Sequence, residues 1–243
     1  MIVLPRGFKA VEELSNRKSA GGAGPLRLRL KDGESATVRF LEQGDDVFFY
    51  YYHDFAHLDK DNGFKYSFPC LDQNDEGAPS PGTELDFPRK FRVAVNVIWR
   101  DAPEYERDDD GRIVTDGSGK WKQIGNKDQV AVWEGGINVY KMLAQKDVAY
   151  KGLSSRDLVI TRTGSGYDTR YSIEPADIDA GPVAPTEEDK ATAKDKYDLE
   201  KVARLDMTYD EVKEYIDSKL GDGVNTDSTA DDVDSFLNEN PFD

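Results

Sequence analysis

The chain has 243 residues, of which 37% are hydrophobic and 33% charged, and its formal net charge is −16. This length is enough to bury one sizeable core and leaves residues over for linkers and tails. No apolar run is long enough to span a bilayer, no signal-peptide pattern opens the chain, and a single cysteine, Cys70, excludes an internal disulfide, so we expect a soluble, intracellular protein.

The negative charge is concentrated towards the C-terminal end. Residues 182–243 contain 18 acidic and seven basic side chains, so the first 181 residues have a net charge of only −5. The overall acidity therefore does not exclude a local basic groove on the body of the protein.

Residues 1–25 are predicted to form a basic N-terminal arm and linker. Phe8, Val11 and Leu14 fall on one stripe of a short helix, and the glycine-rich run at 20–25 ends it. Such an arm suits subunit contact, nucleic-acid contact or solubility alone, and the sequence favours none of the three.

An alternating segment and an aromatic run follow the linker. Residues 26–30 are predicted to pair with residues 36–41 through a hairpin turn at 31–34. Residues 48–52 are five consecutive aromatics, and two or three of these rings should face outward beside the nearby arginines. Outward rings beside arginines are typical of surfaces that bind single-stranded nucleic acid, whereas a tightly packed core strand is the competing interpretation.

A weak metal motif comes next. The only two histidines, His53 and His57, precede Cys70 at a spacing that hints at zinc. A structural zinc site needs four ligands and usually more sulfur, so Asp72 or Asp75 would have to contribute. We therefore predict that the protein binds no metal and no other cofactor.

The clearest strand of the sequence covers residues 88–101. Alternate positions from Val93 to Trp99 lie on one face, and Arg92 and Arg100 lie on the other. A strand that is buried on one side and presents cations on the other suits a barrel that binds an anionic polymer. An ordinary half-exposed strand with solvated arginines is the alternative.

The rest of the body is predicted to contain, in order, a long loop, two short strands around a turn, a helix and a hairpin, at residues 103–119, 121–134, 137–145 and 153–173. The Gly-Ser-Gly turn of the hairpin is too short for a phosphate-binding loop. Arg162, Arg170 and Tyr171 should cluster across this hairpin.

The C-terminal part divides into a charged helical segment, residues 181–220, and a disordered acidic tail, residues 221–243. Thr208 and Glu211 form a capping box for the second helix of the segment. The tail has seven acidic residues and no basic one. Its apolar residues are predicted to bind a partner protein, and they are Phe236, Leu237, Pro241 and Phe242.

Several short strands, one helix between late strands and an aromatic-basic face predict a mainly β protein with peripheral helices, built on a small, partly open barrel. Three segments, residues 91–101, residues 132–135 at the start of the helix, and residues 157–171, together resemble the single-stranded DNA-binding proteins of tailed bacteriophages. The resemblance covers about Leu26 to Pro175. It implies an OB-fold single-stranded DNA-binding domain at residues 26–180, with a basic N-terminal arm and an acidic C-terminal tail.

The resemblance also implies a function. A protein of this family binds and protects single-stranded DNA during phage DNA replication, recombination and repair, in the cytoplasm of the infected bacterial host. The tail would recruit replication or recombination proteins, the N-terminal arm would support self-association, and neither catalysis nor membrane binding is expected. Many relatives bind zinc through a histidine and several cysteines before the central strand, but the other cysteines are absent here.

The predicted DNA-binding residues are the basic and aromatic side chains of the strands. They are Arg27, Arg29, Arg39, Tyr50, Tyr52, Arg89, Lys90, Arg92, Trp99, Arg100, Trp133, Arg162, Arg170 and Tyr171.

Two other functions compete with DNA binding. An acidic, DNA-mimicking inhibitor of a host nucleic-acid enzyme would explain the net charge of −16 but not the clustering of arginines and tyrosines. A metal-dependent nuclease would need carboxylates at the ends of core strands, whereas those of this chain lie mostly in loops and the tail. We therefore favour DNA binding.

Overall fold

The structure is a computed structural model, and it describes residues 25–56, 65–73, 79–109, 113–177 and 181–220. The predicted N-terminal arm up to residue 24, His57, and the acidic tail with Phe236, Leu237, Pro241 and Phe242 lie outside these ranges. The described residues form one antiparallel sheet of seven strands with several helices. The strands are β1 (Ser35–Phe40), β2 (Phe48–Ala56), β3 (Lys65–Pro69), β4 (Arg89–Tyr105), β5 (Gln123–Gly135), β6 (Leu158–Thr163) and β7 (Arg170–Pro175).

Strand β4 organises the sheet because both of its edges are paired. On one edge its first half pairs with β2 and its middle pairs with β1, while β5 follows the other edge. The strand order is β3-β2-β4-β1-β6-β7, with β5 branching from β4, and the sheet is not closed. This arrangement confirms the predicted mainly β fold, a partly open barrel with additional helices.

The helices are α1 (Pro81–Glu84), α2 (Ile137–Tyr150), α3 (Glu187–Thr192), α4 (Leu199–Val202) and α5 (Tyr209–Leu220). The capping box of α5 is confirmed, because the Thr208 N–H donates to the Glu211 carboxylate (2.7 Å) and the Glu211 N–H donates to the Thr208 hydroxyl (3.3 Å). Helix α2 continues five residues beyond the predicted end, to a left-handed Lys151. No helix in the described ranges is long and apolar enough to cross a membrane.

The main core lies on the inner side of the sheet. The two faces of β4 separate in their packing: Val93, Val95 and Val97 belong to this core, whereas Ala94 and Ile98 are equally buried but lie outside it. The other large contributors come from β1, β5, α2 and the late strands, and include Phe40, Trp133, Leu143, Leu158, Ile160 and Ile173. Helix α2 therefore packs one apolar face against this core.

Two local predictions are wrong. Residues 26–30 do not return to β1 as a hairpin; Arg27 instead pairs in parallel with Val132, so this segment covers the outer edge of β5. Residues 103–105 of the predicted loop at 103–119 are an extension of β4, and the two short strands predicted at 121–134 are one continuous β5 from Gln123. Their polar residues hid the pairing because both faces of this extension are largely exposed.

The C-terminal helical segment lies on the outer face of the sheet. The Tyr197 N–H donates to Asn96 Oδ1 (3.0 Å), and Leu199 packs with Tyr50 and Ala94. Further along, α5 buries Val212 and Ile216 against Phe68 of β3, as part of a second apolar cluster. The face of β4 that carries its arginines is therefore covered by protein over much of its length.

Candidate nucleic-acid interface

The aromatic run of β2 is divided between two faces of the sheet. Phe49 lies opposite Val93 and Tyr51 lies opposite Phe91, so these rings share the inner side with the valines. Tyr50 and Tyr52 point to the outer side, where they pack with the C-terminal helical segment. Because successive residues of a strand alternate, five aromatics in a row give rings to both sides of the β2–β4 pair.

The outer side carries an arginine–tyrosine surface, formed by Arg27, Arg29, Tyr50, Tyr52, Lys90 and Arg92. The guanidinium of Arg92 lies 4.3 Å from the Tyr52 ring centroid and donates to the Tyr52 hydroxyl (3.1 Å). Tyr50 lies beneath, only 4% exposed, and its hydroxyl donates to Glu134 (2.7 Å), which also forms an ion pair with Arg27. Burial lowers the pKa of Arg27, and the positive charges of Arg29 and Arg92 lower it further. These predicted residues do come together.

The inner side carries an aromatic patch, formed by Phe49, Tyr51, Phe91 and Tyr140 with Arg89 above it. The guanidinium of Arg89 lies 3.9 Å from the Tyr51 ring centroid. Phe91 is the centre of the patch, 5.7 Å from Phe49, 5.8 Å from Tyr51 and 5.6 Å from Tyr140, centroid to centroid. Phe49 is 43% exposed, so the patch reaches solvent. Of this patch only Arg89 was among the predicted residues, although the alternation within β2 already contained the signal for Phe49 and Tyr51.

Three arginines of these two surfaces have no carboxylate partner in the described part of the chain. Arg29 is exposed, Arg89 donates to the Gln73 carbonyl (2.5 Å), and Arg92 donates to Tyr52. Lys90, in contrast, is paired with the Asp54 carboxylate at 2.7 Å. The three arginines can therefore bind phosphate oxygens without breaking an existing ion pair.

Two predicted arginines belong to the fold and not to the interface. Arg39 is 5% exposed and pairs with Asp157 (2.8 Å) and Asp189 (3.1 Å). Arg100 pairs with the same two carboxylates and with Asp128. Burial opposes the charge of Arg100, but its hydrogen bonds to the aspartates outweigh burial and raise its pKa. Both residues were predicted to lie on an open face. The sequence pattern does not show that α3 packs on this face and places Asp189 beside the two arginines.

The two tryptophans predicted to bind DNA, and most of the predicted residues of the β6–β7 hairpin, are also largely part of the protein's own packing. Trp133 is 2% exposed and packs edge-on against Phe40 and Tyr171, and Trp99 packs against the same core. Arg162 donates to the Leu30 carbonyl (2.8 Å), which fastens the hairpin to the segment before β1. Arg170 alone of this group is exposed, on the edge strand β7. The buried members are therefore not part of the candidate interface.

A second site lies between β2 and β3. The ligand atoms of His53, Cys70 and Asp72 lie within 4.8 Å of one another. The Nδ1 of His53 is 2.8 Å from the Phe87 carbonyl, while its buried Nε2 has no hydrogen-bond partner among the described residues. Burial raises the pKa of the Cys70 thiol to about 11, and the thiol donates to Asp72 (2.5 Å). The donors fit three of the four positions around zinc, with Asp72 in the place of a further cysteine.

This arrangement bears on the predicted absence of metal. The prediction of no metal is kept, because this cluster offers three donors and a structural zinc site needs four. One equivalent of Zn²⁺ should therefore leave the melting temperature unchanged, since only a metal that binds the folded state raises it. A rise that Cys70→Ser abolishes, a variant that keeps a hydrogen bond to Asp72 but removes the thiolate, would overturn the prediction.

Comparison with known proteins assigns the chain to no family. No protein-family model matches the chain, and no curated protein matches it. The assignment of a function therefore depends on the arginine–tyrosine surface and the aromatic patch.

Proposed function

We propose that the protein binds single-stranded DNA through the β2–β4 strand pair. The observation that carries this proposal is that two neighbouring tyrosines of β2, on opposite faces, each lie against an arginine of β4. The distances are 3.9 Å for Arg89 on Tyr51 and 4.3 Å for Arg92 on Tyr52. Bases stack on aromatic rings, and phosphates bind guanidinium groups. Each pair therefore offers a ring for a base and a guanidinium group for a phosphate.

The geometry favours a single strand over a duplex. The rings of the aromatic patch lie on β2, on β4 and in the first turn of α2. One of them, Phe49, exposes 43% of its surface to solvent. Such rings stack with bases that are already unpaired, whereas a duplex is read by elements that enter a groove. The contacts require no base-specific hydrogen bond, so binding should tolerate different sequences.

The resemblance described above supplies the biological role in this proposal. The protein would protect single strands during phage DNA replication, recombination and repair, without catalysis, and its acidic tail would recruit partner proteins. A DNA-mimicking inhibitor is less well supported, because a mimic has no use for arginines without carboxylate partners beside aromatic rings.

The proposal is tested by removing the two arginines that lie on tyrosines. Arg89→Ala/Arg92→Ala should weaken binding to oligo-dT and lower the slope of log affinity against log salt by about 0.7 for each phosphate that the variant no longer binds. A titration at several salt concentrations measures both quantities. The control is Lys190→Ala/Lys213→Ala, which removes the same charge from surface ion pairs of α3 and α5.

The control variant should bind like the parent. If its affinity falls as far as that of the arginine variant, binding depends on general charge and not on this surface. If the arginine variant binds with the affinity and salt dependence of the parent, the interface lies elsewhere.

A further inference from the structure

Strands β4 and β5 continue beyond the barrel as an arm, which we define as residues 101–109 and 113–127. Beyond a bulge after Trp99, Ala102 pairs with Lys127 and Glu104 pairs with Gly125. Near the tip, Thr115 pairs with Trp121, and backbone hydrogen bonds join Glu106 to Lys122 and Val114 (both 2.9 Å). The arm is therefore a hydrogen-bonded element that holds its side chains in defined positions.

Trp121 is the largest exposed ring of this arm. Its side chain is 60% exposed, and Tyr105 contacts it edge-to-face, with 5.4 Å between centroids and 77° between planes. One contact of this kind braces the indole and leaves much of its surface in water. The arm therefore holds Trp121 with most of its ring open to a stacking partner.

The charges around Trp121 are mixed, with the Asp116 carboxylate accepting a hydrogen bond from the Lys120 backbone N–H (3.0 Å), but they include one unpaired cation. Lys122 is paired with Glu106, and Lys127 is paired with Glu104. Lys120, which directly precedes Trp121, forms no ion pair with any described residue and is exposed. An open indole with an adjacent unpaired lysine matches one base and its phosphate.

We propose that Trp121 stacks with a base of the same single strand that the β2–β4 pair binds, and that Lys120 contacts its phosphate. This inference rests on the proposed function. From Phe91 to Tyr105, β4 advances 14 residues, or at most about 46 Å at the ~3.3 Å rise of a strand, because the bulge after Trp99 shortens the path. A stacked single strand rises ~3.4 Å per nucleotide, so no more than about 13 nucleotides are needed to reach from the aromatic patch to the arm.

Tryptophan fluorescence tests this directly, because the other two tryptophans pack in the core. An oligo-dT of about 25 nucleotides should quench the parent strongly, whereas one of about five should bind the β2–β4 pair with little quenching. Trp121→Phe should keep most of the affinity and lose the quenching. Trp121→Ala should lower the affinity for the long oligonucleotide alone by about 5- to 150-fold, the range typical of one stacked base.

The matched control is Ile124→Ala, which removes another exposed apolar side chain of the arm, 58% exposed, and should change neither quantity. If Trp121→Ala binds the long oligonucleotide like the parent, Trp121 holds no base, and the β2–β4 proposal still stands. If Trp121→Ala instead changes only the sedimentation mass, the arm is a protein contact and the inference is wrong. If the parent binds neither oligonucleotide, both proposals fail together.

Discussion

Replacing Asp189 by Ala should lower the free energy of unfolding by about 3–5 kcal/mol, the loss typical when one partner of a buried ion pair is removed. The Asp189 carboxylate is 3% exposed and bonds both Arg39 (3.1 Å) and Arg100 (2.7 Å). Without it, Arg39 keeps only Asp157 while remaining buried. Urea denaturation measures the change, and Glu187→Ala on the same helix, an exposed pair with Lys190, should cost less than about 1 kcal/mol.

The same carboxylate gives the stability a pH dependence. Burial alone would raise the pKa of Asp189, but its hydrogen bonds to Arg100 and Thr186 and the nearby positive charges outweigh burial, and the pKa lies below its ordinary value of 3.8. A lowered pKa in the folded state means that the contribution is present above pH 3.8 and is lost as the pH falls through the folded value. Asp189→Ala should therefore lose less stability than the parent on acidification. Equal losses would show that Asp189 is not the titrating group.

The second large effect is expected at Trp133. Trp133→Ala should lower the free energy of unfolding by about 3–5 kcal/mol, because the ring is 2% exposed and its removal leaves a cavity between Phe40 and Tyr171. Trp121→Ala, at a ring that is 60% exposed, should change stability by less than about 0.5 kcal/mol. The pair of variants compares the same substitution at a core position and at a surface position. Similar losses at both positions would contradict the assignment of Trp133 to the core.

The fold was largely predictable because its central strand has a strong pattern. The alternation of valines in β4 marks a face that only a hydrophobic core can accept, and the structure buries all three. The arm was not predictable in the same way, since its described residues, 101–109 and 113–127, are mostly polar and largely exposed, so they carry no period of two.

The residue types of the candidate site could be predicted from the sequence, but the side of the sheet on which each aromatic ring is exposed could not. Tyr52 and Arg92 come together because alternation in β2 and β4 places them on one side, whereas Arg27 and Arg29 reach this side from a segment that pairs along β5. Whether Tyr50 or Phe49 stays exposed depends on α4, which covers Tyr50 with Leu199 from a distant part of the chain. Sequence periodicity gives the two faces of a strand, but only the tertiary packing decides which of them reaches water.

The position of Asp189 also has a consequence for how the protein is made. The carboxylate that bonds Arg39 follows it by 150 residues, and Asp157 follows it by 118. During synthesis β1 therefore emerges long before either counter-ion exists, and the ion pairs of Arg39 are complete only when α3 has left the ribosome. Contacts between such distant residues slow folding. Nascent chains that stall before α3 should be unusually sensitive to protease, and protection should begin only once residues near Asp189 have emerged.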